Sequence, residues 1–333
     1  MAETVLLTGI TGFIAKRIAK DLLDAGYKVR GSLRSPTREA EVRAALNEPG
    51  TERLTFVTLD LSADDGWAEA MDGVSAVLHT ASPFPLSNPK DENEVIRPAV
   101  DGTLRALRAA QAAGITRIVL TSSVVAIMYS GKPVGSGYGP DDWTDVNHPA
   151  ARPYVKSKTL AERVAWDFGA EHPEMQLTVI NPGLVTGTPL DPNYGASLEL
   201  VERVLKGGDP AIPDVGFPVV DVADVSKLHV DALTKPESIG KRVIAAGEFW
   251  TLPKMATLLK ENYPNRKISD RVAPKWLLRI IALFDPAVRT ILPEVGTKMP
   301  TDNSETRAMF GINFVPGRDA ILASAEAIIA KNG

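Results

Sequence analysis

Thr4-Val5-Leu6-Leu7-Thr8-Gly9-Ile10-Thr11-Gly12-Phe13-Ile14-Ala15 opens the chain with a short apolar run, a glycine turn and a helical pattern that reaches residue 25. A strand that feeds a glycine turn and then a helix aims backbone amides and the positive end of a helix dipole at one point. That arrangement suits the pyrophosphate of a dinucleotide. The glycines follow Thr-Gly-x-x-Gly-x-x-Ala, so the common G-x-G-x-x-G spacing is met only in part. Working outward, strand patterns at 28–33, 54–59, 76–79, 117–121 and 176–180 are each separated by a periodic or capped segment. Such alternation predicts βαβ units, and right-handed crossovers then give an α/β fold of Rossmann type. The expected architecture is a doubly wound parallel sheet with helices on both faces and a ligand crevice at the carboxyl ends of the strands.

Two further features fall at such positions. Ser122-Ser123 ends the apolar run at 117–121, and Pro153-Tyr154-Val155-Lys156-Ser157-Lys158 begins a helical pattern over 151–170, with Pro153 suited to its first turn. Another helix is expected over 91–113, closed by Gly114. Tyr154 and Lys158 are four residues apart, which on a helix places a phenol and an ammonium on one face. A lysine charge favours the phenolate and brings a tyrosine from about 10 towards the working range of a proton donor.

Composition narrows the function classes. The chain has 333 residues, 44% hydrophobic and 23% charged, enough for a sizeable core, with a formal charge of −4. A pI near 5.7 lacks the basic footprint of a nucleic-acid binder, and no apolar run is long enough to span a bilayer. Met1-Ala2-Glu3-Thr4 reads as no secretion leader, so a soluble cytoplasmic protein is expected, with no nucleic-acid or membrane partner. The absence of cysteine excludes disulfides and thiolate chemistry, and His79, His148, His172 and His229 lack ligand spacing, so no metal is expected.

After Asn181-Pro182-Gly183 the chain is broken by Pro189, Pro192, Pro210, Pro213 and Pro218 into short elements. Residues 1–181 are therefore expected to form the cofactor-binding domain, and 182–333 mostly a smaller substrate lobe, with 212–245 returning to the main sheet.

The glycine turn, Ser123 and Tyr154-x-x-x-Lys158, in that order, resemble the extended short-chain dehydrogenase/reductases. Four segments resemble the dihydroflavonol reductase, cinnamoyl-CoA reductase and yeast-type aldehyde/ketone reductase branch. They are Thr8 to Ala15, Val29 to Arg34, Tyr154 to Lys158, and Ile180-Asn181-Pro182-Gly183-Leu184-Val185-Thr186-Gly187. The resemblance implies catalytic roles for Ser123, Tyr154 and Lys158: serine on the carbonyl oxygen, tyrosine as proton donor, lysine on the ribose hydroxyls. It favours Ser123 over Ser122 because relatives place the catalytic serine second.

For the cofactor it implies Thr8, Gly9, Thr11, Gly12, Phe13 and Ile14 at the turn, and Asp60 and Leu61 at the adenine. Thr80, Ala81, Ser82, Ser122, Tyr154, Lys158, Pro182, Gly183 and Val185 would follow the rest of the molecule. NAD-preferring relatives carry an acid after the second strand. Here Arg34 and Arg38 offer guanidinium forks suited to a 2′-phosphate, so NADP(H) is expected.

Phe84, Met128, Tyr129 and Leu184 are the expected substrate pocket. Its segments contain no Arg or Lys, which suggests a neutral, largely apolar aldehyde or ketone. An NAD-dependent sugar-nucleotide epimerase or dehydratase shares the fold, the turn and the Tyr-Lys pair; the lack of carboxylates beside Ser122-Ser123 and the presence of Arg34 speak against it. A non-catalytic dinucleotide sensor is the other alternative, opposed by the complete Ser-Tyr-Lys set. Relatives of this kind occur as monomers or homodimers.

Overall fold

The computed structural model describes residues 2–47, 51–82, 89, 91–133 and 135–332. The six strand patterns become β1 (Thr4–Thr8), β2 (Lys28–Leu33), β3 (Leu54–Thr58), β4 (Ala76–His79), β5 (Arg117–Thr121) and β6 (Gln176–Pro182). After these come β7 (Leu184–Thr186), β8 (Gly216–Asp221), β9 (Arg242–Ala245) and β10 (Phe249–Thr251). The main sheet runs β3-β2-β1-β4-β5-β6-β9, with every neighbour parallel. Strand order reverses between β1 and β4, and that switch point leaves a crevice at the carboxyl ends.

The crossovers supply α1 (Phe13–Asp24), α2 (Glu39–Ala45), α3 (Trp67–Met71), α4 (Asn93–Ala112) and α5 (Pro153–Glu171). In α1, Ala15, Ile18, Ala19, Leu22 and Leu23 recur at helical spacing and are all buried. Each large aliphatic chain there contributes about 1.5–3 kcal/mol by leaving water. One core cluster joins α1 to the first sheet face, while Trp67 of α3, Ala106 and Leu107 of α4 and Phe168 of α5 fill the other. β1, β4 and β5 are buried almost throughout, as strands covered on both faces must be.

The remaining chain forms α6 (Ala196–Lys206), α7 (Val222–Ala232), α8 (Leu252–Asn262), α9 (Lys275–Ile281), α10 (Pro286–Ile291), α11 (Ser304–Phe310) and α12 (Gly317–Asn332). Within the stretch 212–245, β9 joins the main sheet and α7 packs on α1, whereas β8 sits in a separate three-stranded sheet, β10-β8-β7. That small sheet and α6, α8 and α12 enclose their own apolar cluster, which includes Leu198, Val201, Trp250, Leu259 and Ile321. Gly183 makes the junction possible: a Cβ there would lie 2.2 Å from Pro218 O. No helix among the described residues is long and apolar enough to cross a membrane.

Candidate active site

A cleft of about 520 Å³ opens over the carboxyl ends of β1, β4, β5 and β6. Its floor at one end is the glycine turn. Gly9 has φ +68°, and a Cβ there would approach Ala81 Cα to 2.9 Å, so the turn demands glycine on two counts. Gly9 N donates to Ser32 Oγ at 3.0 Å, a buttress from β2 that sequence reading missed. Gly12 caps α1 without any side-chain bond, and no acid stands in the first turn, so the helix mouth presents unsatisfied amides to the cleft. This is a cradle with the chemistry of a phosphate site.

Thr8 lies beneath the turn, buried. Its Oγ1 accepts from the amides of Thr80 and Ala81, both at 3.1 Å, so its own proton goes to His79 Nδ1 at 2.9 Å. His79 is thereby a structural strand-end residue, and burial, aided by the Lys158 charge, pushes it down to about 3, so the ring is neutral.

The expected catalytic residues meet at the middle of the cleft. Pro153 occupies the first position of α5, which fixes the helix start and brings Tyr154, Val155 and Lys158 to the cleft wall. The Tyr154 phenol hydrogen-bonds Ser123. Ser123 Oγ also accepts from Val125 N at 3.3 Å. Ser122 turns the other way and donates to Glu162 Oε2 at 2.5 Å. Between the two serines, geometry therefore brings Ser123 to the phenol. Burial pushes Tyr154 up to about 12, opposed by the Ser123 hydrogen bond. Burial also pulls Lys158 down to about 8, opposed by Glu162. The i, i+4 spacing suggests direct tuning of the tyrosine by the lysine; in the folded chain Ser123 is what lowers the phenol, and Glu162 is what supports the ammonium.

Gly9, Gly12, Phe13, Ile14, Thr80, Ser82, Ser122, Pro182, Gly183, Leu184 and Val185 all line the cleft, as do Met128 and Tyr129. Ala81 and Ser82 also line a small recess beside Lys158. Thr11 lies on the turn itself but, like Asp60 and Leu61, outside the cleft lining. Asp60 accepts from the amide and hydroxyl of Ser62 at 2.8 and 2.6 Å, and Leu61 packs on Gly102 of α4. Phe84 lies outside the described residues.

The two arginines separate. Arg34 is exposed and makes no hydrogen bond to the other described residues, although Asp60 feels its charge. Arg38 spends its fork on Glu41, at 2.8 Å for both contacts. Glu41 is held at about 2 by Arg38 and by Lys16, which is 1% exposed and also bridges to Asp191, beyond β7.

The far wall differs from the sequence expectation of a surface without Arg or Lys. Arg152 and Glu294 both line it, and Arg152 Nη2 meets Glu294 Oε1 at 2.5 Å. Tyr129 donates its hydroxyl to the same oxygen at 2.9 Å, and burial beside Glu294 raises its pKa. Arg203 and Lys206 of α6 are exposed and paired with Asp209 and Glu202. Tyr194, Phe217 and Met299 complete the wall. Glu294, Tyr194, Phe217 and Met299 had no local sequence signal, since each lies far along the chain from the glycine turn and from Tyr154, whereas Arg152 adjoins Tyr154 as the N-cap of α5.

A profile of the NAD dependent epimerase/dehydratase family matches residues 5–247. The chain belongs to that family, as an extended short-chain dehydrogenase/reductase. Cinnamoyl-CoA reductase CAD2 of Medicago truncatula is 31% identical over 279 residues, 82% of this chain and 85% of the relative. Dihydroflavonol 4-reductase of Zea mays is 31% identical over 278 residues, 80% of this chain and 76% of its own. The yeast methylglyoxal/isovaleraldehyde reductase, solved in complex with NADPH, superposes with a TM-score of 0.83 at 26% identity, covering 99% of each chain.

Proposed function

We propose that this extended short-chain dehydrogenase/reductase is an NADPH-dependent carbonyl reductase that acts reversibly on neutral, largely apolar aldehydes and ketones. The observation that carries the reading is the Ser123–Tyr154 hydrogen bond beside buried Lys158, midway along a cleft whose other end is an uncapped helix mouth. Relatives named as cinnamoyl-CoA, dihydroflavonol and methylglyoxal/isovaleraldehyde reductases support the same reading.

The residues present fit NADP(H): the glycine cradle and amides of α1 suit the pyrophosphate, Arg34 the 2′-phosphate, and Pro182, Gly183 and Val185 border the place where the nicotinamide end would lie. When bound, the cofactor supplies the hydride. Ser123 holds the carbonyl oxygen through its hydroxyl. Tyr154, neutral across the physiological range because burial holds it near 12, donates the proton that the forming alkoxide requires. Lys158 supplies positive charge on the same helix face and holds the ribose hydroxyls. In this reading residues 1–181 form the cofactor-binding domain and most of 182–333 the substrate lobe.

The substrate class follows from the wall. Val125, Met128, Leu184, Phe217 and Met299 offer carbon, and the Arg152–Glu294 pair cancels its own charge, so affinity comes from burying apolar area. The test is NADPH oxidation followed by absorbance with neutral aromatic and branched aliphatic carbonyls beside 2-oxo acids and sugar nucleotides. The neutral set is expected to turn over fastest. Faster turnover of the charged set would overturn the substrate assignment, and no turnover with any carbonyl would overturn the reductase reading.

A further inference from the structure

Glu162 stands one helical turn beyond Lys158 on α5 and is 1% exposed. Burying a carboxylate is costly unless its oxygens are satisfied, and here both are. Oε2 accepts from Ser122 Oγ at 2.5 Å and Asn181 Nδ2 at 2.8 Å; Oε1 accepts from Arg242 Nε at 2.5 Å and Trp166 Nε1 at 3.3 Å. Two of these donors flank the serine of the site. Ser122 is its chain neighbour, and the Asn181 amide gives its other proton to Ser123 O at 3.2 Å. Arg242 reaches on to Pro140 O at 2.8 Å and stacks over Trp143 at 3.9 Å. Thr144, next in the chain, bonds Val125 O at 2.6 Å and Tyr129 N at 3.1 Å, so the same network reaches the pocket wall.

We propose that Glu162 is a positioning residue for the reaction: its hydrogen bonds hold Ser123 in register with Tyr154, and its negative charge keeps Lys158 cationic. The proposal rests on the Ser-Tyr-Lys reading of the site. The groups around Lys158 bear on its charge. α5 itself presents Tyr154 and Glu162, β4 presents neutral His79, and β5 presents Thr121 O, which accepts from Lys158 Nζ at 3.4 Å. α7 presents His229, bonded to Thr121 Oγ1 at 2.7 Å and held neutral by burial at about 4. β9 presents Arg242, bonded to Glu162, and α4 presents Thr103, whose hydroxyl donates to Ala99 O at 2.8 Å. Of these groups only Glu162 is negative at neutral pH, and its charge opposes the burial that strips Lys158 of its proton.

The test pairs Glu162→Gln with Glu162→Asp and reads Lys158 directly. The protein is labelled with 13C-lysine, the Lys158 Cε signal is assigned through Lys158→Arg, and it is titrated from about pH 6 to about pH 11. This readout needs no substrate, so it stays informative if the reductase reading fails. Glu162→Gln is expected to move the Lys158 midpoint towards acid by about one pH unit, whereas Glu162→Asp, which keeps the charge, leaves it near wild type. Where neutral carbonyls are turned over, both variants should lower kcat about 10- to 100-fold with KM for NADPH little changed, because the shorter or neutral side chain no longer holds every donor. A Lys158 midpoint that does not respond to Glu162→Gln overturns the electrostatic half of the proposal. Wild-type kcat in Glu162→Asp overturns the positional half. If Glu162→Gln does not fold, the Asp variant decides alone: a midpoint displaced as far as one unit despite the retained charge would count against it.

Discussion

The two ends of the cleft are built on opposite terms. At the glycine-turn end the working groups are backbone amides and hydroxyls drawn from adjacent strands: Gly9 braced by Ser32, Thr80 and Ala81 tied to Thr8, and an uncapped α1. At the far end they are side chains from distant parts of the chain, with Arg152 and Tyr129 converging on Glu294 inside an apolar wall. Backbone groups cannot be mutated away and carry recognition that many dinucleotide proteins can share. Side chains can be exchanged one at a time, so the far end is the part of the cleft whose chemistry single substitutions can alter.

The largest expected effect lies between the two ends. Tyr154→Phe keeps the ring that packs in the wall and removes the proton, so kcat on an active carbonyl should fall by about 10² to 10⁴ with cofactor binding intact, read by NADPH oxidation and NADPH fluorescence titration. More than about half the wild-type rate would remove Tyr154 from the chemistry.

Next comes the cofactor end. Arg34→Ala should weaken NADPH by about 2 kcal/mol, or about thirtyfold, and leave NADH unchanged. Arg38→Ala should cost less than about threefold, because its fork is already on Glu41. Comparing kcat/KM for both cofactors in both variants separates the two arginines, and equal losses would mean that Arg38 abandons Glu41 when the cofactor binds.

At the substrate end, Glu294→Gln leaves the Arg152 charge uncompensated in the wall. Carbonyls bearing a carboxylate should then gain about 1.5 kcal/mol, or about tenfold in KM, while neutral ones change little. A variant that stays indifferent to 2-oxo acids would show that Arg152 does not face the substrate.

The smallest effect is in pH. Lys158 in the folded protein sits near 8, below the usual lysine value, so its positive charge is present below that pH and is lost as pH rises through it. Tyr154, near 12, keeps its proton over the same range. Carbonyl reduction should therefore decline from about pH 7 upward and halve near pH 8, measured as kcat under saturating NADPH. A flat profile to pH 9 would place Lys158 in a more strongly supported environment than the folded chain shows.

The sequence by itself determined the order of β1 to β6, the strand-turn-helix at Gly9 and Gly12, and the face that carries Tyr154 and Lys158. These rest on local periodicity, on glycine conformation and on i, i+4 spacing, all of which are fixed within a few residues of chain. Tertiary structure decided the rest. It turned Ser122 towards Glu162 and Ser123 towards Tyr154, although the two hydroxyls are adjacent and chemically alike. It gave Arg38 to Glu41, and it placed β8 in a separate three-stranded sheet. It brought Glu294 to Arg152 across 142 positions of chain and Arg242 to Glu162 across 80. Such pairs leave no periodic trace, because their partners are chosen by how helices and sheets pack, and a buried charge finds its counter-charge only where the folded layers meet.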